Sequence, residues 1–158
     1  MKVRKAVLSS FTIFTLATSI ILLYSVYAFI GISMSIRVIS VSTKVSVQSV
    51  NATLVDVTTV LTIKNPSEFS FGAIDLTEYL YFDNVLVGSS KGYRRIYSTP
   101  LLVEPFGETN VTMTMSKVSL PKNYSASLKW RVSGLIVLET SLPNLARIRF
   151  REEVYPSS

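Results

Sequence analysis

The chain changes its hydrophobic rhythm once. From Ala6 to Ile36 it runs for 31 residues without a charge, "AVLSSFTIFTLATSIILLYSVYAFIGISMSI". After Arg37 apolar and polar residues alternate. In "RVISVSTKVSVQSV", Ile39, Val41, Thr43, Val45 and Val47 share one parity, and Ser40, Ser42, Lys44, Ser46 and Gln48 the other. Successive side chains of a strand point to opposite faces, so this spacing predicts a strand with one buried face. "TLVDVTTVLTIK" repeats the pattern with Val55, Val57, Leu61 and Ile63 inward. "TNVTMTMSKV" does so with Val111, Met113 and Met115, "YSASLKWRV" with Tyr124, Ala126, Leu128, Trp130 and Val132, and "ARIRFREEV" with Ala146, Ile148 and Phe150.

Turn signals separate these runs: Asn65-Pro66, Asp83-Asn84, Pro105-Phe106-Gly107, Pro121-Lys122-Asn123 and Pro143-Asn144. Asp83-Asn84, between "YLYF" and "VLVG", predicts a tight hairpin. Pro66 lacks an N–H and forces Asn65 towards an extended backbone, so the pair ends a strand, and the Asn65 side chain is placed to bond nearby backbone and hold the bend. The predicted fold is mainly β: an N-terminal transmembrane helix followed by an antiparallel sandwich of immunoglobulin or fibronectin-III type, with about seven strands. The expected division is a basic tail over 1–5, a transmembrane helix over 6–34 and a sandwich domain over 35–158.

Composition narrows the chemistry. The chain contains neither Cys nor His, which excludes disulfides, thiol nucleophiles, His-based triads and His/Cys zinc sites. No phosphate-cradling glycine loop is present, and no cofactor is expected. The net charge is +6, but Lys2, Arg4 and Lys5 precede the apolar run. The remainder from Arg37 is nearly balanced, which argues against nucleic acid as a partner.

Thirty-one uncharged, mostly apolar residues exceed the roughly 20 that a helix needs to cross a bilayer. The basic cluster before them predicts a cytoplasmic N-terminus and an exported C-terminal domain, with Tyr24 and Tyr27 at the outer interface. Two other fates compete with a retained anchor: cleavage after Val26-Tyr27-Ala28 as a signal peptide, and prepilin-type processing at "RKA" (Arg4 to Ala6). The apolar run continues well past the usual signal-peptide core, which favours the anchor.

Few side chains suggest a site. Glu104 and Glu108 flank a turn and read as solvated, and Glu152-Glu153 reads as a surface pair. Arg147, Arg149 and Arg151 alternate on one strand face, an arrangement suited to anionic lipid or glycan surfaces or to guarding a sheet edge. Asn51, Asn110 and Asn123 open N-glycosylation sequons, whereas Asn65 is excluded by Pro66. Trp130, the only tryptophan, is expected at the centre of the core.

The order of features from Leu61 to Gly88 is specific: a strand ending in Asn65-Pro66, then "FSFGAIDLTEYLYFDNVLVGSS" with Tyr79 and Tyr81 in a strand, a short turn, and Gly88 closing the hairpin. A connection, "STPLLVEPFGETNVTMTM", leads into a Thr-rich strand. This resembles the late-embryogenesis-abundant type 2 family, known also through the water-stress and hypersensitive-response domain, over roughly Ser35 to Val154. The preceding apolar segment looks like that of its membrane-anchored members. The resemblance implies a β-sandwich without catalytic residues and a role in desiccation or stress, by protecting membranes or proteins or by binding apolar molecules. The expectation is a non-enzymatic, single-pass membrane protein. The alternatives are a pilin-like filament subunit that self-assembles and a lipid-carrying module.

Overall fold

The computed structural model describes residues 2–51, 53–94, 101–120, 129–140 and 145–155. The expected positions Asn123, Tyr124, Ala126 and Leu128, and the turns at 121–123 and 143–144, lie outside them. The chain divides into two units, Met1–Met34 and Ser35–Ser158.

The first element is the helix α1, Lys2–Val38. Its stretch Ser10–Val38 is long and apolar enough to cross a membrane, with a mean hydropathy of 2.1, and lies where a signal sequence would also lie. Every side chain from Ser10 to Tyr27 is exposed.

The second unit holds eight strands: β1 (Ser40–Ser49), β2 (Leu54–Lys64), β3 (Phe71–Phe82), β4 (Val85–Arg94), β5 (Leu101–Val103), β6 (Glu108–Ser119), β7 (Trp130–Glu139) and β8 (Leu145–Val154). All pairings are antiparallel. One sheet has the order β1-β2-β6. The other has the order β4-β3-β7-β8, with β5 also pairing with β3. The edge strand β1 lies near β8, and β6 near β4, so the two sheets meet along both sides.

The alternating strands behave as their parity requires. Val55, Val57, Thr59, Leu61 and Ile63 of β2 are buried, as are Val111, Met113 and Met115 of β6. One break occurs in this pair, opposite Asp56. There Lys117 takes φ 56°, its N–H donates to Asp56 Oδ1 at 2.8 Å, and the register shifts between Val55 and Val57. Such a bulge keeps Val118 facing inward despite the extra residue.

Trp130 is fully buried and meets Phe82 edge-on, with ring centroids 5.1 Å apart. Val45, Val57, Leu80, Met115 and Val132 complete this part of the core. Among the described residues the strand carrying Trp130 runs from Trp130 to Glu139, with Trp130 and Val132 inward as expected. Its second half, "GLIVLE", has apolar residues on both faces, which removes the alternation that marks a half-buried strand.

Asp83 and Asn84 form the two-residue turn between β3 and β4, with φ 48° and 64°. Two successive positive φ values define the turn whose twist matches paired strands. Gly88 does not close this hairpin. It sits inside β4, which continues to Arg94, opposite Leu80 and beside a register shift. A Cβ there would lie 2.9 Å from Met115 Sδ, so its role is close approach to the other sheet.

Candidate functional site

The expected bend at Asn65-Pro66 is a four-way junction. Asn65 is fully buried. Its Nδ2 donates to the carbonyls of Phe69 (2.7 Å) and Glu104 (3.0 Å), and its Oδ1 accepts from the Ser67 N–H (3.1 Å) and hydroxyl (2.7 Å). Its own N–H donates to the Gly107 carbonyl at 2.9 Å, and the Phe106 N–H to Ser67 O at 3.0 Å. One amide thus ties the 65–69 bend to the 104–107 turn, and all its contacts are structural. Glu104 is exposed on that turn. Glu108 pairs with Lys64 across the sheet at 3.0 Å.

Of the sequons, Asn51 is exposed in the β1–β2 connection. Its Oδ1 accepts from the N–H groups of Thr53 (2.9 Å) and Leu54 (2.8 Å). Asn110 is exposed on β6 and accepts the Thr62 hydroxyl at 2.7 Å.

Glu152 and Glu153 are not a surface pair. Adjacent strand residues point to opposite faces. Glu153 faces outward and forms an ion pair with Lys129. Their mutual hydrogen bond raises the Lys129 pKa and lowers that of Glu153, with Arg151 and Arg131 adding to the latter by charge. Glu152 faces the seam between the sheets, where its Oε2 accepts the Thr43 N–H of β1 at 2.5 Å. The carboxylate thereby satisfies a backbone donor on an edge strand.

A second inward carboxyl, Glu78 of β3, escaped the reading of the sequence. It is fully buried, and its Oε2 accepts the Thr59 hydroxyl of β2 at 2.7 Å; that hydroxyl also lies 3.4 Å from the Met113 carbonyl of β6. Glu78 Oε1 has no hydrogen-bond partner among the described residues. Burial pushes the carboxyl up to about 7, against the smaller opposing effect of the Thr59 hydrogen bond. The signal was available: Leu76, Glu78, Leu80 and Phe82 share one parity.

The outer face of β3, β7 and β8 is the strongest surface candidate. Arg147, Arg149 and Arg151 stand opposite Val137, Leu135 and Ser133 of β7 in the ladder. Beyond these lie Asp75, Thr77 and Tyr79 of β3. The three guanidiniums are exposed, and among the described residues none of them has an ion pair. Arg131, one row further, is engaged. Its Nη1 donates to Asn84 Oδ1 at 2.7 Å, and its guanidinium carbon lies 4.3 Å from the Tyr81 ring centre. Between these groups is an open groove of about 350 Å³, lined by Tyr79, Ser133, Gly134, Leu135, Arg149, Phe150 and Arg151. Gly134 lines the groove with its backbone; it shares the inward parity of Val132 and Ile136, and a Cβ added to it would lie 2.2 Å from the Thr77 carbonyl and 2.5 Å from the Phe150 ring.

No family model matches the chain, and no curated protein matches it. Solved structures do. A Bordetella pertussis crystal structure that carries the name ApaA is 11% identical, with a TM-score of 0.55, over 75% of this chain and 93% of that one. A structural-genomics crystal structure is 15% identical (TM-score 0.49, 72% and 82% covered). A protein of Arabidopsis thaliana solved in solution is 16% identical (TM-score 0.45, 76% and 82% covered). At these identities the first likeness shows a shared fold alone, and the other two carry no argument.

Proposed function

We propose that the chain is a non-enzymatic, single-pass membrane protein that displays a late-embryogenesis-abundant type 2-like sandwich outside the cytoplasm. Its role there is to protect or bind the cell envelope under stress. The observation that carries the reading is the apolar helix stretch Ser10–Val38, exposed throughout from Ser10 to Tyr27, which is followed by the first strand of the sandwich with only Ile39 between them. Lys2, Arg4 and Lys5 supply the orientation, because basic residues flanking a span stay in the cytoplasm. The family enters through the Leu61 to Gly88 pattern, whose Asn65 junction and Asp83-Asn84 turn are both built.

The chain has no Cys, so single introduced cysteines report topology without background. A membrane-impermeant maleimide is expected to label Ser116→Cys in intact cells and Lys2→Cys only after lysis. The opposite pattern would overturn the topology. The intact mass of the membrane-extracted protein separates a retained anchor from cleavage after Ala28 or near Ala6.

A further inference from the structure

We propose that the outer face of β3, β7 and β8 is a binding site for a linear acidic polysaccharide, with Arg147, Arg149 and Arg151 holding the acid groups and Tyr79 stacking against a sugar ring. The choice of a glycan as the polyanion rests on the exported topology proposed above.

The charge pattern points to a polymer. Alternate residues of a strand lie about 6.7 Å apart, so the three guanidiniums form a row of roughly 13 Å with one charge per step. Each offers a planar fork of donors that fits carboxylate or sulfate in bidentate fashion. Lys64 is engaged by Glu108, Lys129 by Glu153, and Arg131 by Asn84 and Tyr81, whereas Lys44 on β1 and Lys117 on β6 are exposed cations of the other sheet that form no such row. The β8 row faces only Ser133, Leu135 and Val137 across the ladder. A row of positive charge next to an uncharged row, with the one carboxylate at its end, Glu153, already paired to Lys129, complements an anion that also carries an apolar or ring-shaped body.

The relief of the face points to sugars. Ser133 and Leu135 on the outer face of β7 floor a groove that is walled by Tyr79, Arg149 and Arg151. Tyr79 is 39% exposed, although the strand around it is packed. An exposed ring on a rigid strand is a stacking platform that loses little side-chain freedom on binding. A lipid headgroup or polyphosphate would use the guanidiniums but not the ring.

The test uses the full chain in neutral nanodiscs, with polygalacturonate as the probe. Neutral amylose, polyphosphate and phosphatidylglycerol vesicles serve as the other arms, at about 50 mM and about 300 mM salt. The expected result is binding to polygalacturonate at least about tenfold tighter than to amylose. Arg149→Ser/Arg151→Ser should weaken it about tenfold or more, and Lys44→Ser, which removes an exposed cation from the other sheet, should leave it unchanged. Tyr79→Ala should weaken polygalacturonate binding several-fold while sparing polyphosphate. No polygalacturonate binding, equal binding to amylose, or a Tyr79→Ala variant that binds as the parent would overturn the proposal. So would vesicle binding stronger than polygalacturonate binding, which would assign the face to lipid. These outcomes are independent of cysteine labelling, so failure of the site and failure of the topology are separable.

Discussion

The Thr59 hydroxyl of β2 donates to Glu78 Oε2 of β3 at 2.7 Å, across the interior between the two sheets. Among the described residues it is the one side-chain hydrogen bond to a carboxyl that burial has pushed up to about 7 from an ordinary 4.5. A raised carboxyl binds its proton more tightly folded than unfolded. The stability it confers is full below about pH 4.5 and is lost as pH rises through 7. A rise of this size corresponds to at most about 3 kcal/mol. Urea midpoints of the chain in micelles should therefore fall from pH 5 to pH 8. Glu78→Gln should flatten that slope and be the more stable form at pH 8. An unchanged slope in the variant would assign the pH dependence elsewhere.

Asn65→Ala should cost about 2–4 kcal/mol, because it leaves the Phe69 and Glu104 carbonyls without their side-chain donor in a buried site. Asn65→Asp is the sharper probe. It keeps the acceptor for Ser67 but faces those two carbonyls with an anion, so at neutral pH it should be at least as harmful as alanine. Thermal unfolding of the two variants side by side checks this.

Trp130→Ala removes the largest fully buried side chain and the edge contact with Phe82. A loss of about 3–5 kcal/mol is expected, read by denaturant unfolding. A cost below about 1 kcal/mol would place Trp130 outside the packed core.

Two glycines should separate cleanly. Gly134→Ala drives a methyl into the Thr77 carbonyl at 2.2 Å, a backbone atom that cannot turn aside, and should cost about 1–3 kcal/mol or more. Gly88→Ala meets only the flexible end of Met115 at 2.9 Å, and should cost less than about 1 kcal/mol. Equal costs would mean that β7 yields as easily as a methionine.

The sandwich was legible where one face of a strand is wet. β1, β2 and β6 alternate in sequence because water covers one of their faces. The latter part of β7 was hidden because Leu135, Ile136, Val137 and Leu138 are apolar on both faces. β5, three residues long, is too short to show a period. Gly88 reads as a turn residue in sequence, whereas its position is set by Met115 on another sheet. The same distance in sequence hid the interior acids: Glu152 finds Thr43, and Glu78 finds Thr59, only after the sheets have met. The arginine row was visible from its spacing. The uncharged row opposite it and the groove beside it depend on cross-strand register, which no local pattern encodes.

The Glu152 carboxylate that caps the Thr43 N–H joins residues 109 positions apart. At a synthesis rate of about 5–20 residues per second, β1 therefore waits roughly 5–20 s for the strand that will cover its flank. During that interval a nascent chain emerging beside others presents an open row of backbone donors and acceptors, the template by which strands from different chains join. The hazard of mispairing is thus concentrated in a brief period of manufacture, and it ends when β8 arrives.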